Sequence, residues 1–139
     1  MKLAFLLLAT LIAAGCTSKE VRPPLQPPSP PMPLPVCSHW NVGGTWAFSQ
    51  SNGFFITFNI RQRGTLLDGT ANNGSGPVPL AGVMEGNHFS VIVAWASGGA
   101  GLYTATMIRS GEFAEPFTQN ISMPYSTATW TAKTQFNCL

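Results

Sequence analysis

FFITFNIRQ, Phe54 to Gln62, alternates: Ile56, Phe58 and Ile60 fall on one face, Thr57, Asn59 and Arg61 on the other. A period of two marks a half-buried β-strand, because successive side chains of a strand point to opposite sides of the sheet. The period returns in HFSVIVAWAS, where Phe89, Val91, Val93 and Trp95 oppose Ser90, Ile92, Ala94 and Ala96. It returns again in TATWTAKTQF, where Ala128, Trp130, Ala132, Thr134 and Phe136 oppose Thr127, Thr129, Thr131, Lys133 and Gln135. Helical periodicity is weak throughout this part of the chain, so it reads as all-β and antiparallel.

Turn signals cut the rest into short lengths: Ser51-Asn52-Gly53, Arg63-Gly64, Asn72 to Pro77, Glu85-Gly86-Asn87, Ser97 to Gly101, Ser110-Gly111 and Pro124-Tyr125-Ser126. The segments between them predict eight strands, 43–50, 54–62, 65–72, 78–85, 88–96, 102–109, 116–123 and 127–136. Eight hairpin-linked strands suggest an up-and-down β-barrel, which leaves no exposed sheet edge. The cysteines check that closure. In a closed meander the first and last strands are neighbours, so Cys37 and Cys138, just outside them, come within the Cα separation of about 4.4–6.8 Å that a disulfide needs. The expected Cys37–Cys138 bond closes a loop of about 100 residues, which constrains the unfolded chain by about 4.7 kcal/mol in the entropy model.

The preceding segment has a different character. Met1 to Gly15 carries Lys2, then an apolar run from Leu3 to Ala14, then small residues, the layout of a secretory signal peptide. It is shorter than the about 20 apolar residues of a membrane span. Its end, Ala13-Ala14-Gly15-Cys16, resembles the lipobox of bacterial lipoproteins, although Ala13 stands where that family more often has Leu. The resemblance implies that Cys16 receives acyl chains and becomes the mature N-terminus. Thr17 stands where inner-membrane lipoproteins usually carry Asp, which implies an outer-membrane anchor facing the periplasm or the cell surface. Several acyl chains exceed the threshold for stable anchoring. Lys19 to Val36 contains eight prolines, so neither helix nor sheet propagates there. As polyproline II it is a semi-rigid spacer of roughly 50 Å at most. PPLQPPSPP is also a match for a proline-recognition domain, a reading that a plain spacer outweighs. The expected organisation is therefore a signal peptide over 1–15, a lipidated N-terminus and linker over 16–36, and a barrel domain over 37–139.

Within that domain Arg61, Arg63, Arg109 and Lys133 balance Asp68, Glu85, Glu112 and Glu115. Zero net charge with no basic cluster argues against nucleic acid. Catalysis also has little support. His39 sits at the linker boundary, His88 in a tight turn, and Asp68 has no His or carboxylate close in sequence. No Ser or Thr occupies a nucleophile elbow. Two separated histidines and two paired cysteines do not make a zinc site, so no metal and no cofactor are expected. The Gly-rich SGGAG, Ser97 to Gly101, lacks the lysine and following helix of a phosphate cradle and reads as a loop at one barrel mouth.

GGTWAF, the FFITF strand, LDGTA at 67–71, LAGVMEG at 80–86, FSVIVAW at 89–95, GLY at 101–103 and the closing TWTAKTQF follow an order and spacing similar to avidin-like barrels of the calycin group. The resemblance implies that the tryptophan of Gly44-Thr45-Trp46 closes one barrel end. It also implies a biotin site, of which Trp95 is the one convincing match. Ala71 stands where the family has Tyr, Ala47 or Phe48 where it has Asn, and no Asp lies near Gln135. An unmet polar ligand group costs about 1–3 kcal/mol, so tight biotin binding is not expected. The group also forms dimers and tetramers through its sheet faces, which leaves a homo-oligomer open for this chain.

Eight-stranded barrels hold one small molecule. The candidate contacts for an apolar or aromatic ligand are Trp46, Trp95, Tyr103 and Trp130. Against that role, Trp46 fits an end plug, Trp95 and Trp130 fit core filling, and Tyr103 fits a half-exposed strand residue. The functional expectation is a non-catalytic, membrane-anchored barrel that binds such a ligand or an envelope protein. The alternatives are a protein-interaction or inhibitor module, or a structural envelope lipoprotein.

Overall fold

The alternating rows of the sequence become the two faces of a barrel wall. The computed structural model describes residues 37–139; the signal peptide, Cys16 and the linker lie outside the described residues. Ten strands follow in chain order: β1 (Trp40–Asn41), β2 (Gly44–Gln50), β3 (Phe55–Arg63), β4 (Leu66–Asn72), β5 (Pro77–Glu85), β6 (His88–Ala94), β7 (Ala100–Met107), β8 (Phe113–Asn120), β9 (Thr127–Ala132) and β10 (Asn137–Cys138). Strands β2 to β9 form a closed antiparallel barrel in sequence order, the expected up-and-down architecture. Closure is made by β9 against β2, with Phe48 opposite Ala132 and Gln50 opposite Trp130.

The apolar rows face inward. Ile56, Phe58 and Ile60 of β3, Phe89, Val91 and Val93 of β6, and Ala128 and Trp130 of β9 are all buried. Trp46 lies at the centre of the filled half, its ring within 5.2–6.4 Å of the rings of Phe48, Phe58, Phe89, Phe113, Trp130 and Phe136. Both buried indoles that take part in this cluster are satisfied. Trp46 Nε1 donates to the Val42 carbonyl at 3.0 Å and Trp130 Nε1 to the Phe117 carbonyl at 3.1 Å. A buried indole N–H needs such an acceptor, so these bonds fix how each ring enters the core.

The two ends of the described segment close this half. Strands β1 and β10 pair as a small ribbon, Trp40 opposite Cys138, and the Cys37–Cys138 disulfide spans a Cα separation of 5.7 Å. Gln62, at the end of β3, ties the incoming chain down. Its Oε1 accepts from Val42 N at 2.8 Å, and its Nε2 donates to the Trp40 carbonyl at 2.8 Å. The last strand is shorter than the 127–136 expected. After Ala132 the chain leaves the wall, and Phe136 N donates to the Gly111 carbonyl at 2.7 Å. That bond brings the Phe136 ring over Trp46 and Phe113, 5.3 and 5.0 Å away. Covering the plug replaces continued pairing.

Two departures from simple alternation have local causes. The β7–β8 register shifts between Thr104 and Thr106, and Glu115 opposite it takes a φ of 51°, the mark of an inserted bulge residue. At Gly82 a Cβ would lie 2.0 Å from the Ser90 carbonyl oxygen and 2.6 Å from Val91 Cα. The backbones of β5 and β6 approach too closely there for any side chain. Gly82→Ala is accordingly expected to lower stability by about 1–3 kcal/mol through forced strand separation, read as a fall in the urea unfolding midpoint; an unchanged midpoint would contradict this close approach.

Candidate functional site

Strands β2, β4, β6 and β8 run in one direction, so the turns that follow them, residues 51–54, 73–76, 95–99 and 121–126, gather at the end opposite the plug. Here the interior is not filled. A cavity of about 240 Å³ opens between these turns. Its floor is the last aromatic layer, in which Tyr103 meets Phe58 at 5.5 Å and Phe48 at 5.8 Å. Its sides are built by Gln50 from β2, Thr118 from β8 and Trp95 from the turn after β6, with Asn73 and Asn120 near the lip.

Each of these side chains has a backbone reason for its place. Gln50 ends the inward row Trp46, Phe48, Gln50 and is 8% exposed. Thr118 stands opposite Tyr103 across the β7–β8 ladder, and its hydroxyl donates to the Leu102 carbonyl at 3.0 Å. Trp95 is turned inward by a tight turn in which Gly98 N donates to its carbonyl at 3.0 Å and its own N donates to the Gly99 carbonyl at 2.9 Å. The Trp95 and Tyr103 rings then meet edge to face, centroids 6.5 Å apart. Gly101 makes that meeting possible, since a Cβ there would lie 2.9 Å from the Tyr103 ring and 3.1 Å from Trp95 Nε1.

The site is polar but without formal charge. None of its lining residues is Asp, Glu, Lys, Arg or His. The ion pairs are elsewhere: Asp68 accepts from Arg61 at 2.6 Å and Arg63 at 2.9 Å on the outer wall, with both guanidiniums largely in solvent, a setting in which pairs contribute little. Gln50 Nε2 is buried beside the Tyr103 phenol and, like Trp40 Nε1 at the plugged end, makes no well-formed hydrogen bond among the described residues. Burial pushes the Tyr103 phenol above its usual range, against a smaller opposing pull from the nearby polar groups of Gln50, Thr118 and Trp95.

That shift has a stability consequence with a definite sign. Because the folded-state value is raised, the stabilisation is complete below the unfolded value of about 10 and is lost as pH rises through the folded value. As pH rises above about 10, wild type is expected to lose stability and Tyr103→Phe to lose less. Urea unfolding on either side of the phenol's unfolded value checks this; equal losses in the two proteins would contradict it.

Of the four aromatic candidates from the sequence, Trp95 and Tyr103 line the cavity and stand together. Trp46 and Trp130 do not; they belong to the filled half, where other rings occupy the space a ligand would need. Tyr103 is not a half-exposed strand residue, since it is 3% exposed and its row faces inward. Reading from the sequence missed Gln50, Thr118, Asn73 and Asn120. For Gln50 there was a signal: an amide that continues the inward row of Trp46 and Phe48. His39 and His88 lie away from the cavity, both exposed. Among the described residues no cluster of three His, Cys, Asp or Glu side chains is placed to hold a metal ion.

Fold and site together define a class: an up-and-down eight-stranded barrel, plugged with aromatic rings at one end and open at the other on an uncharged polar cavity. No protein-family model, no curated protein and no solved structure matches the chain.

Proposed function

We propose that this chain is a bacterial envelope lipoprotein, acylated at Cys16 and anchored in the outer membrane, whose barrel binds a small uncharged molecule at its open end without transforming it. The observation that carries the binding reading is the open cavity itself, with Trp95 and Tyr103 beside the Gln50 amide in its wall. Binding rather than turnover is supported by the lining, whose hydroxyls and amides have no carboxylate or imidazole beside them.

The anchor is supported by the Ala13-Ala14-Gly15-Cys16 motif and the proline-rich residues after it. The linker joins the domain at Cys37, which the disulfide holds at the plugged end beside β1 and β10. Such a tether leaves the mouth on the side away from its attachment. Kinship with avidin-like barrels is part of the same proposal, supported by the order of their shared motifs along eight consecutive strands.

Two experiments test these parts separately. Cys16→Ser is expected to move the protein out of the membrane fraction or to stall it uncleaved; a processed variant that stays in the membrane contradicts acylation. For binding, a panel of small uncharged compounds is screened by thermal shift, since a ligand that binds only the folded state raises Tm by mass action. A saturable rise that Trp95→Ala abolishes is expected; a panel with no effect contradicts the reading. A protein partner is the second reading, favoured by apolar residues exposed around the mouth, Phe55 at 62% and Tyr125 at 92%. A photoreactive residue at position 125, irradiated in whole cells, separates the two: a discrete protein adduct supports a partner, and its absence sets that reading aside.

A further inference from the structure

The chemistry of the lining narrows what the mouth takes, given the ligand-binding reading above. An anion entering this cavity would exchange its hydration shell for a site with no Lys, Arg or His, and a cation would find no carboxylate. Both are excluded on desolvation. A wholly apolar ligand fits poorly for the opposite reason. It would cover the amides of Gln50, Asn73 and Asn120 in the cavity wall without offering them a partner.

What satisfies all of these groups is a neutral molecule with several oxygens that both donate and accept, and with one non-polar face. Asn73 and Asn120, whose Oδ1 atoms already accept from Ser75 N and from Ser122 and Met123 N, keep their Nδ2 donors, and hydroxyls rotate to donate or accept, so these amides, the Gln50 amide and the Tyr103 hydroxyl suit adjacent hydroxyl groups. The half-buried Trp95 ring, with Phe54 at the lip, supplies a flat apolar surface. We propose that the open end is a subsite for one neutral sugar ring, with the Gln50 amide at the cavity wall bonded to a ring hydroxyl and the Trp95 indole lying against its C–H face. The volume of about 240 Å³ is below the roughly 300–1,000 Å³ of sites for drug-sized ligands, so a single ring is enclosed. Any further units of a glycan pass out over the lip.

The test is tryptophan fluorescence of the full chain in lipid nanodiscs. It is titrated with glucose, galactose, mannose and N-acetylglucosamine, with trisaccharides of the same sugars, and with indole and p-cresol as apolar probes. At least one neutral sugar is expected to give a saturable change, about tenfold or more weaker in Gln50→Leu. Gln50→Leu removes no well-formed hydrogen bond within the protein and is expected to melt at or above the wild-type Tm, so weaker binding reports the lost contact rather than lost fold. Tighter binding of a trisaccharide than of its monosaccharide identifies the end of a glycan as the source, and equal binding a free sugar; both support the proposal. Saturation by indole or p-cresol with no response to any sugar overturns the sugar assignment and leaves the ligand-binding reading standing. No response to any probe overturns both.

Discussion

Replacing both Cys37 and Cys138 with Ser is expected to lower stability by about 2–5 kcal/mol, a fall in Tm on the order of 10–20 °C for a domain of this size. The loop the bond closes spans 101 residues, nearly the whole domain, so its loss frees the unfolded chain. The folded barrel also depends on it at a thin place. Strand β9 is held by short ladders on both sides, from Phe48–Ala132 to Gln50–Trp130 against β2 and from Phe117–Thr129 to Gln119–Thr127 against β8. The tail after β9 is secured by the Phe136 to Gly111 bond, by the β1–β10 ribbon and by the disulfide itself. Without the covalent tie, opening is expected to begin at the β2–β9 seam. Calorimetry of the double variant, with hydrogen exchange along β9, measures both effects. An unchanged Tm, or protection in β9 equal to that of β4 and β5, would contradict the role of the bond.

Trp46→Ala has an expected cost of about 3–5 kcal/mol, the usual range for deleting a buried tryptophan. Six rings pack on this side chain, and the walls of a closed barrel have little freedom to collapse into the space left. The variant also strips the Val42 carbonyl of its indole donor. Trp46→Phe keeps much of the packing but loses that donor, so a smaller cost of about 1–3 kcal/mol separates the hydrogen bond from the volume. Against a total stability of typically about 5–15 kcal/mol, the alanine variant approaches unfolding at ordinary temperature. Urea unfolding of the three proteins gives the comparison, and a cost near zero for the alanine variant would contradict a filled end.

The barrel was legible because β3, β6 and β9 alternate and turn residues punctuate the strands between them, although β8 spans Phe113–Asn120 where 116–123 was expected. The staple was legible for a topological reason, since only a closed meander brings residues 37 and 138 together. Other features depend on three-dimensional volume and escaped the linear pattern. Trp46, Trp95 and Trp130 look alike in sequence, all being aromatic residues on apolar rows, yet two are enclosed by other rings and one lines the open mouth. Gln50 reads as a strand-end polar residue until the barrel closes around it. In β8 the positive φ at Glu115 and the proline that follows break the alternation, which hid the inward position of Thr118. Phe136 continues the row of Trp130 in sequence, but its bond to Gly111 takes it out of the wall.

The chain has four tryptophans, and their indole N–H signals in a proton–nitrogen correlation spectrum report separately on the two ends of the barrel. Trp40, Trp46 and Trp130 lie at the plugged end or in the filled core, and Trp95 alone lines the cavity. On titration with a ligand found by the thermal-shift or fluorescence screens, the Trp95 indole signal is expected to move together with the side-chain amide of Gln50 and the backbone amide of Gly101, while the other three indoles stay in place. Movement of the Trp46 or Trp130 signals with Trp95 unchanged, or saturable binding that shifts none of the mouth residues, would show that the open end is not the binding site.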